Sequence, residues 1–293
     1  MIKSLKAELY KLFKNRTFKV IVTIVIAMSI LTVVMASSVI EKILMDSLGD
    51  MPENQKEIFI QEMMNSVESE AIVTPGALGI QIQAKDIMNP TALEIYHSSF
   101  GSGFMEILIG ILVASLMAKE YSQGTIKNFL AYGKKREEFY ISKFLAMVIA
   151  ITILLALLTI IPTIGTTIIN GWGQNFELSQ LLGMMKVFIA AILTNSAVAS
   201  LIMIIATLVK SNGATIGIAV ALFIGAPTLG GFLYGIYPWF DKIYEVLPFY
   251  NSALAVSIYS SNTDVLRAMI IASITIVIAL IFGIKIFKTQ DIK

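Results

Sequence analysis

Cysteine is absent from this 293-residue chain, and histidine occurs once, as His97. These gaps exclude a disulfide framework, a zinc–thiolate site and a thiol nucleophile, and leave His97 with no partner spacing for a metal site or a triad. We read it as an interfacial loop residue. Charge is scarce as well. Only 14% of residues are charged, against roughly a quarter in an ordinary soluble domain. Also missing is a G-x4-G-K-[ST] phosphate loop: Gly133-Lys134 has Asn128 where the first glycine belongs and is followed by Lys135. No cofactor is expected in this chain, no catalytic constellation is visible, and nothing points to a nucleic-acid partner.

What is present is apolar. The chain is 56% hydrophobic with a mean hydropathy of +0.79, which predicts an all-α integral membrane protein. A spanning helix needs about 20 apolar residues, because the hydrocarbon core is ~30 Å thick and a helix rises ~1.5 Å per residue. Six blocks qualify: 20–40, 100–118, 144–169, 187–209, 215–240 and 268–284. The fifth is expected to break at Pro227, and the sixth is the shortest. An outer helical insertion over 41–99 and a polar segment over 119–143 separate the early spans. Residues 241–267 read as an outer re-entrant or interfacial segment. Eight aromatic residues crowd between Phe232 and Tyr250, suiting an interface anchor or a closure of the outer exit.

Charge sets the orientation. With both termini inside, the cytoplasmic side holds six Lys and Arg in residues 1–19, six in 119–143, Lys210 and three in the tail, sixteen of the 22. Segment 41–99 instead carries ten acidic residues against three lysines. Basic residues near span ends stay in the cytoplasm, so a bacterial cytoplasmic membrane with cytoplasmic termini is expected. Trp172 and Trp239 fall at outer ends, where indole rings prefer the interface. The first apolar block, 21 residues long, exceeds the ~7–15 of a signal peptide and reads as an uncleaved span.

Two cytoplasmic stretches are amphipathic. In residues 1–19, Ile2, Leu5, Leu9, Leu12 and Phe13 form one apolar stripe flanked by Lys3, Lys6, Lys11 and Lys14. Such a helix lies in the inner headgroup layer against anionic lipid, or serves as a simple basic anchor. In 119–143, Ile126, Phe129 and Leu130 share a face over about 123–131, and Gly133 suits its C-terminal end. By residue type alone this is either a docking helix or a solvated basic loop.

The run Glu120, Gly124-Thr125, Lys127, Leu130, Gly133, Arg136 and Lys143 resembles the segment after the second span of type-2 ABC-transporter permeases. "LKAELYKLFKNRTF" resembles that family's N-terminal connecting helix, and "EVLPFYNSAL" its Pro-containing stretch before the last span. The similarity is greatest to small Gram-positive permeases, many of which export, or confer immunity to, antibiotics such as lantibiotics and bacitracin. The resemblance implies a type-2 exporter-like transmembrane domain. Residues Glu120, Gly124, Thr125, Ile126, Lys127, Phe129, Leu130, Gly133, Arg136 and Lys143 would couple it to a separate ATP-binding subunit holding ATP and magnesium. It further implies a second permease chain, in a homodimer or heterodimer, and a small amphipathic or peptide substrate. The outer 41–99 segment is longer than in many relatives. The alternative is an ATPase-independent secondary transporter or channel.

Within the spans, Glu106 is the one acidic residue, either lining a cavity or snorkelling outward, and it is a transport-path candidate with Asn195. Asn195 also reads as a hydrogen-bonding link to a neighbouring helix. Gly213, Gly217, Ala221 and Gly225 recur every four residues, a small-residue face that suits packing within the chain or a dimer seam.

Overall fold

The computed structural model describes residues 1–37, 89–101, 103–126, 135–173 and 175–290, with scattered positions between 43 and 84. Every regular element among them is helical. Basic helix α1 (Ile2–Lys14) stops at Asn15, whose extended backbone turns the chain and whose side chain accepts from the Thr17 N–H at 2.7 Å. That contact caps α2 (Arg16–Met35). A short helix α3 (Ala92–Ser98), held by a Thr91–Glu94 capping box, leads to α4 (Phe104–Val113). A π-turn over Ala114–Ala118 joins α4 to α5 (Lys119–Ser122). Three long helices follow: α6 (Arg136–Asn170), α7 (Leu178–Val209) and α8 (Asn212–Leu233). Short helices α9 (Pro238–Tyr244) and α10 (Pro248–Val256) each start on a proline, whose missing N–H costs nothing there. The last helix, α11 (Asn262–Thr289), opens on a Ser261–Asp264 capping box.

Among the described residues five helices, α2, α6, α7, α8 and α11, are long and apolar enough to cross a membrane, as an all-α multi-pass protein requires. Their outward faces agree. Ile160, Ile164 and Ile168 on α6, and Ile270, Ile274, Val277 and Ile281 on α11, are exposed, a pattern that water would penalise and hydrocarbon would not. Helix α7 sits at the centre, packed by α4, α6, α8, α10 and α11. With 35 residues, α6 is ~50 Å long, so it outreaches a ~30 Å core and carries Arg136–Lys143 beyond its basic end.

Several expectations need correction. The fifth block does not break at Pro227: α8 runs through it to Leu233, and the break falls at Tyr234, where the chain turns extended, with Gly235 following at φ +80°. Buried Pro227 and Gly230 are packed by neighbouring helices, which tolerate the lost backbone bond. The sixth block, 268–284, is the middle of a 28-residue helix. The second block starts late, at Phe104, and continues past residue 118 to Ser122 through the π-turn. His97 lies on α3, half-buried, its Nδ1 2.8 Å from the Val256 carbonyl. Most of the 41–99 insertion lies outside the described residues.

The small-residue face is also reassigned. A Cβ added at Gly213, Gly217 or Gly225 would meet nothing within 4 Å, and Ala221 is exposed. Helix α8 buries Thr215, Ala219, Phe223, Pro227 and Gly230 instead. Close approach within the chain happens at Gly110 of α4, where an added Cβ would sit 2.5 Å from the Ala219 Cβ of α8.

Candidate functional site

At the basic end of the bundle four charged side chains from three elements form one network. Lys143 of α6 reaches the Glu8 carboxylate of α1 at 2.5 Å and Glu120 of α5 at 2.9 Å. Lys11, one turn beyond Glu8 on α1, bridges the same two acids at 2.9 and 2.8 Å. Two ammonium and two carboxylate groups thus alternate. Lys143 is 1% exposed and Glu8 3%, whereas Lys11 is 45% exposed.

Burial of this kind is costly for an isolated charge and acceptable only for a paired one. Burial pushes the Glu8 carboxyl upward, but the ammonium groups of Lys143 and Lys11 reverse the effect and leave it below its ordinary value. For Lys11, burial lowers the ammonium and the Glu120 and Glu8 carboxylates outweigh it, so its pKa is raised. Both shifts favour the charged forms of Glu8 and Lys11. The Lys143 ammonium also lies 5.1 Å from the Phe139 ring centroid.

A second clamp adjoins the first. The Arg136 guanidinium donates to the carbonyls of Phe287, Lys288 and Gln290 at 2.9, 2.9 and 2.7 Å. These carbonyls belong to the C-terminal end of α11, where orphan acceptors and the helix dipole both favour a cation. Phe287 is fully buried and stacks on Phe139 with centroids 5.3 Å apart. Lys288 pairs with Glu137, and Ser4 donates to Glu138 at 2.7 Å. The first turns of α6 therefore join α1, α5 and the last helix.

The sequence candidates separate clearly. Glu120, Arg136 and Lys143 converge here. Gly124 makes a left-handed turn at φ +66° after α5, the Thr125 hydroxyl reaches back to the Glu120 carbonyl at 3.4 Å, and Ile126 is buried. Lys127, Phe129, Leu130 and Gly133 lie outside the described residues. Glu106, in the first turn of α4, and Asn195 on α7 are buried elsewhere in the bundle. Each keeps one oxygen, Glu106 Oε2 and Asn195 Oδ1, without a hydrogen-bond partner among the described residues. The Asn195 amide donates to the Ala191 carbonyl of its own helix at 2.9 Å, and among the described residues no hydrogen bond links it to a neighbouring helix.

Glu8 escapes sequence reasoning. Helix α1 buries Ser4, Glu8 and Leu12, while Ile2 and Phe13 of the apolar stripe stay exposed. The available signal is that Glu8 is the single acid of a basic helix, three residues before Lys11, which simple headgroup anchoring leaves unexplained.

Comparison with curated proteins finds no match. The family model DUF2705, described as a protein of unknown function, matches residues 58–293. That stretch contains Glu120, Arg136 and Lys143, while Glu8 and Lys11 precede it. With the match covering most of its length, the chain belongs to the DUF2705 family.

Proposed function

We propose that the chain is the membrane-spanning permease subunit of an ATP-driven transporter of the type-2 ABC class. In this reading it sits in the bacterial cytoplasmic membrane with both termini inside and exports an amphipathic or peptide-like compound, as in antibiotic immunity. Helix α4, the π-turn and α5 make the sixth crossing: residues 104–122 would span ~28 Å. ATP and magnesium belong to a separate subunit docked on segment 118–143, which contains Glu120. The observation that carries the reading is the Glu8–Lys143–Glu120–Lys11 network. It fastens the root of that segment to the amphipathic arm and to α6, so a push on the segment would be delivered to whole helices. The Gly213–Gly217–Gly225 stripe, open where side chains would sit, supports a second permease chain against α8.

Co-purification with a co-expressed phosphate-loop ATPase tests this. Glu120→Ala with Thr125→Ala should abolish association and the ATPase stimulation it brings. Thr125→Ala alone, exposed and outside the ion-pair network, should weaken association without lowering the melting temperature, separating docking from folding. Unchanged association in the double variant would refute the reading. The competing assignment, an ATPase-independent secondary transporter or channel, draws on the unpartnered Glu106 oxygen. It requires transport by the chain alone that fails in Glu106→Gln.

A further inference from the structure

Beside the ion-pair network, an open cleft of about 540 Å³ lies between α1, the start of α2, and the π-turn with α5. Four cations line it, Lys11, Lys14, Arg16 and Lys119, against one carboxylate, Glu120. Lys11 and Glu120 neutralise each other at 2.8 Å. Among the described residues no carboxylate lies within ion-pair distance of Lys14, Arg16 or Lys119, so the cleft keeps three uncompensated positive charges. Ser115, Thr17 and Gln123 add polar groups to its wall.

Its position selects the ligand. The cleft opens where the polar arm meets the first apolar helix, at the depth where headgroups lie if α2 crosses a membrane. Arg16, Val20 and Ile24 follow one another at four-residue steps on α2. Val20 is 57% and Ile24 40% exposed, so one face reads cation above, hydrocarbon below. An anion seated on Arg16 and Lys119 therefore has an apolar track beneath it for attached chains.

We propose that this cleft binds the phosphate headgroup of an anionic phospholipid, with Arg16 and Lys119 as its principal ligands and Lys14 at its edge. Arginine's planar fork suits phosphate oxygens, and lysine adds point charge. The inference needs the membrane placement of α2 but no ATPase partner, so its failure and that of the transporter reading are separable.

The test is native mass spectrometry of the full chain in neutral detergent, titrated with phosphatidylglycerol, phosphatidylcholine or inorganic phosphate. Phosphatidylglycerol should be retained roughly tenfold better than phosphatidylcholine, and Arg16→Gln with Lys119→Gln should cut that retention roughly tenfold. Lys3→Gln with Lys6→Gln removes the same charge from exposed positions of α1 outside the cleft and should leave retention unchanged. Equal loss in both pairs would mean diffuse attraction to a basic surface and overturn the site. So would equal retention of the two lipids. Displacement of phosphatidylglycerol by millimolar phosphate would overturn the lipid assignment in favour of a soluble phosphate ester. Should the double variant fail to fold, Lys119→Gln alone, at an exposed helix position, should lose about threefold, and no loss there would overturn the proposal.

Discussion

Lys143 holds its ammonium group out of water, 1% exposed, on the carboxylates of Glu8 and Glu120. Removing Lys143 or Glu8 leaves the surviving buried partner with one ion pair in place of two, so the cost stays below the roughly 3–5 kcal/mol of a fully stripped buried charge. Lys143→Ala and Glu8→Ala should each lower the melting temperature in detergent sharply, whereas Glu8→Gln with Lys143→Met should recover most of the loss. A double variant as unstable as the singles combined would show that the charges do not act as a pair. Lys11 is 45% exposed, so Lys11→Ala should cost about 0–1 kcal/mol. The pH dependence follows. The Glu8 pKa is lowered in the fold, so its contribution is present above the ordinary carboxylate value and is lost as pH falls through the folded one. The Lys11 pKa is raised, so its contribution holds below the ordinary ammonium value and fades as pH rises through the folded one. Melting followed against pH should show an acid limb that Glu8→Gln flattens.

Among the elements, the π-turn over Ala114–Ala118 absorbs one residue just ahead of Glu120. A π-turn is an α-helix with one extra residue, frequent at functional sites. Deleting Ala114 should restore α geometry and leave the helix beyond it nearly in phase, because the turn absorbs the extra residue, so Glu120 should still face Lys11 and Lys143. The deletion should therefore melt higher than Glu120→Ala; a fall as large as that of Glu120→Ala would show that the turn itself is needed to position Glu120. Helix α8 offers a paired test of its two faces. Gly110→Val drives side-chain atoms into Ala219, an overpacking worth roughly 1–3 kcal/mol. Gly217→Ala meets open space and should stabilise the single chain by up to ~1 kcal/mol through helix propensity. If α8 also forms the seam with a second chain, Gly217→Leu should weaken dimerisation while the monomer melts unchanged.

At the scale of the whole molecule, the lack of cysteine makes single introduced thiols unambiguous reporters. If the chain makes the proposed six spans with its basic end in the cytoplasm, Gln123→Cys should be shielded from a membrane-impermeant maleimide in intact cells and labelled after lysis. Ser260→Cys, at the other end between α10 and α11, should label without lysis. The reverse pattern would overturn the orientation, and with it the docked ATPase.

The apolar blocks, their approximate ends and the gathering of Lys and Arg at one end could all be read along the chain, because hydrophobic length and charge placement are one-dimensional quantities. So could Glu120, Arg136 and Lys143, which stand in one segment. The passage of α8 through Pro227 could not, since whether a helix survives a proline depends on the neighbours that cover the freed carbonyl. Nor could the exposure of the Gly213–Gly225 face, which depends on which side of α8 the rest of the bundle takes. Glu8 and Lys143 are 135 residues apart, and the one local sign, a lone acid in a basic helix, does not name the partner that buries it. Only the packing of α1 across the foot of α6 removes that carboxylate from water, and low dielectric then makes its partners obligatory.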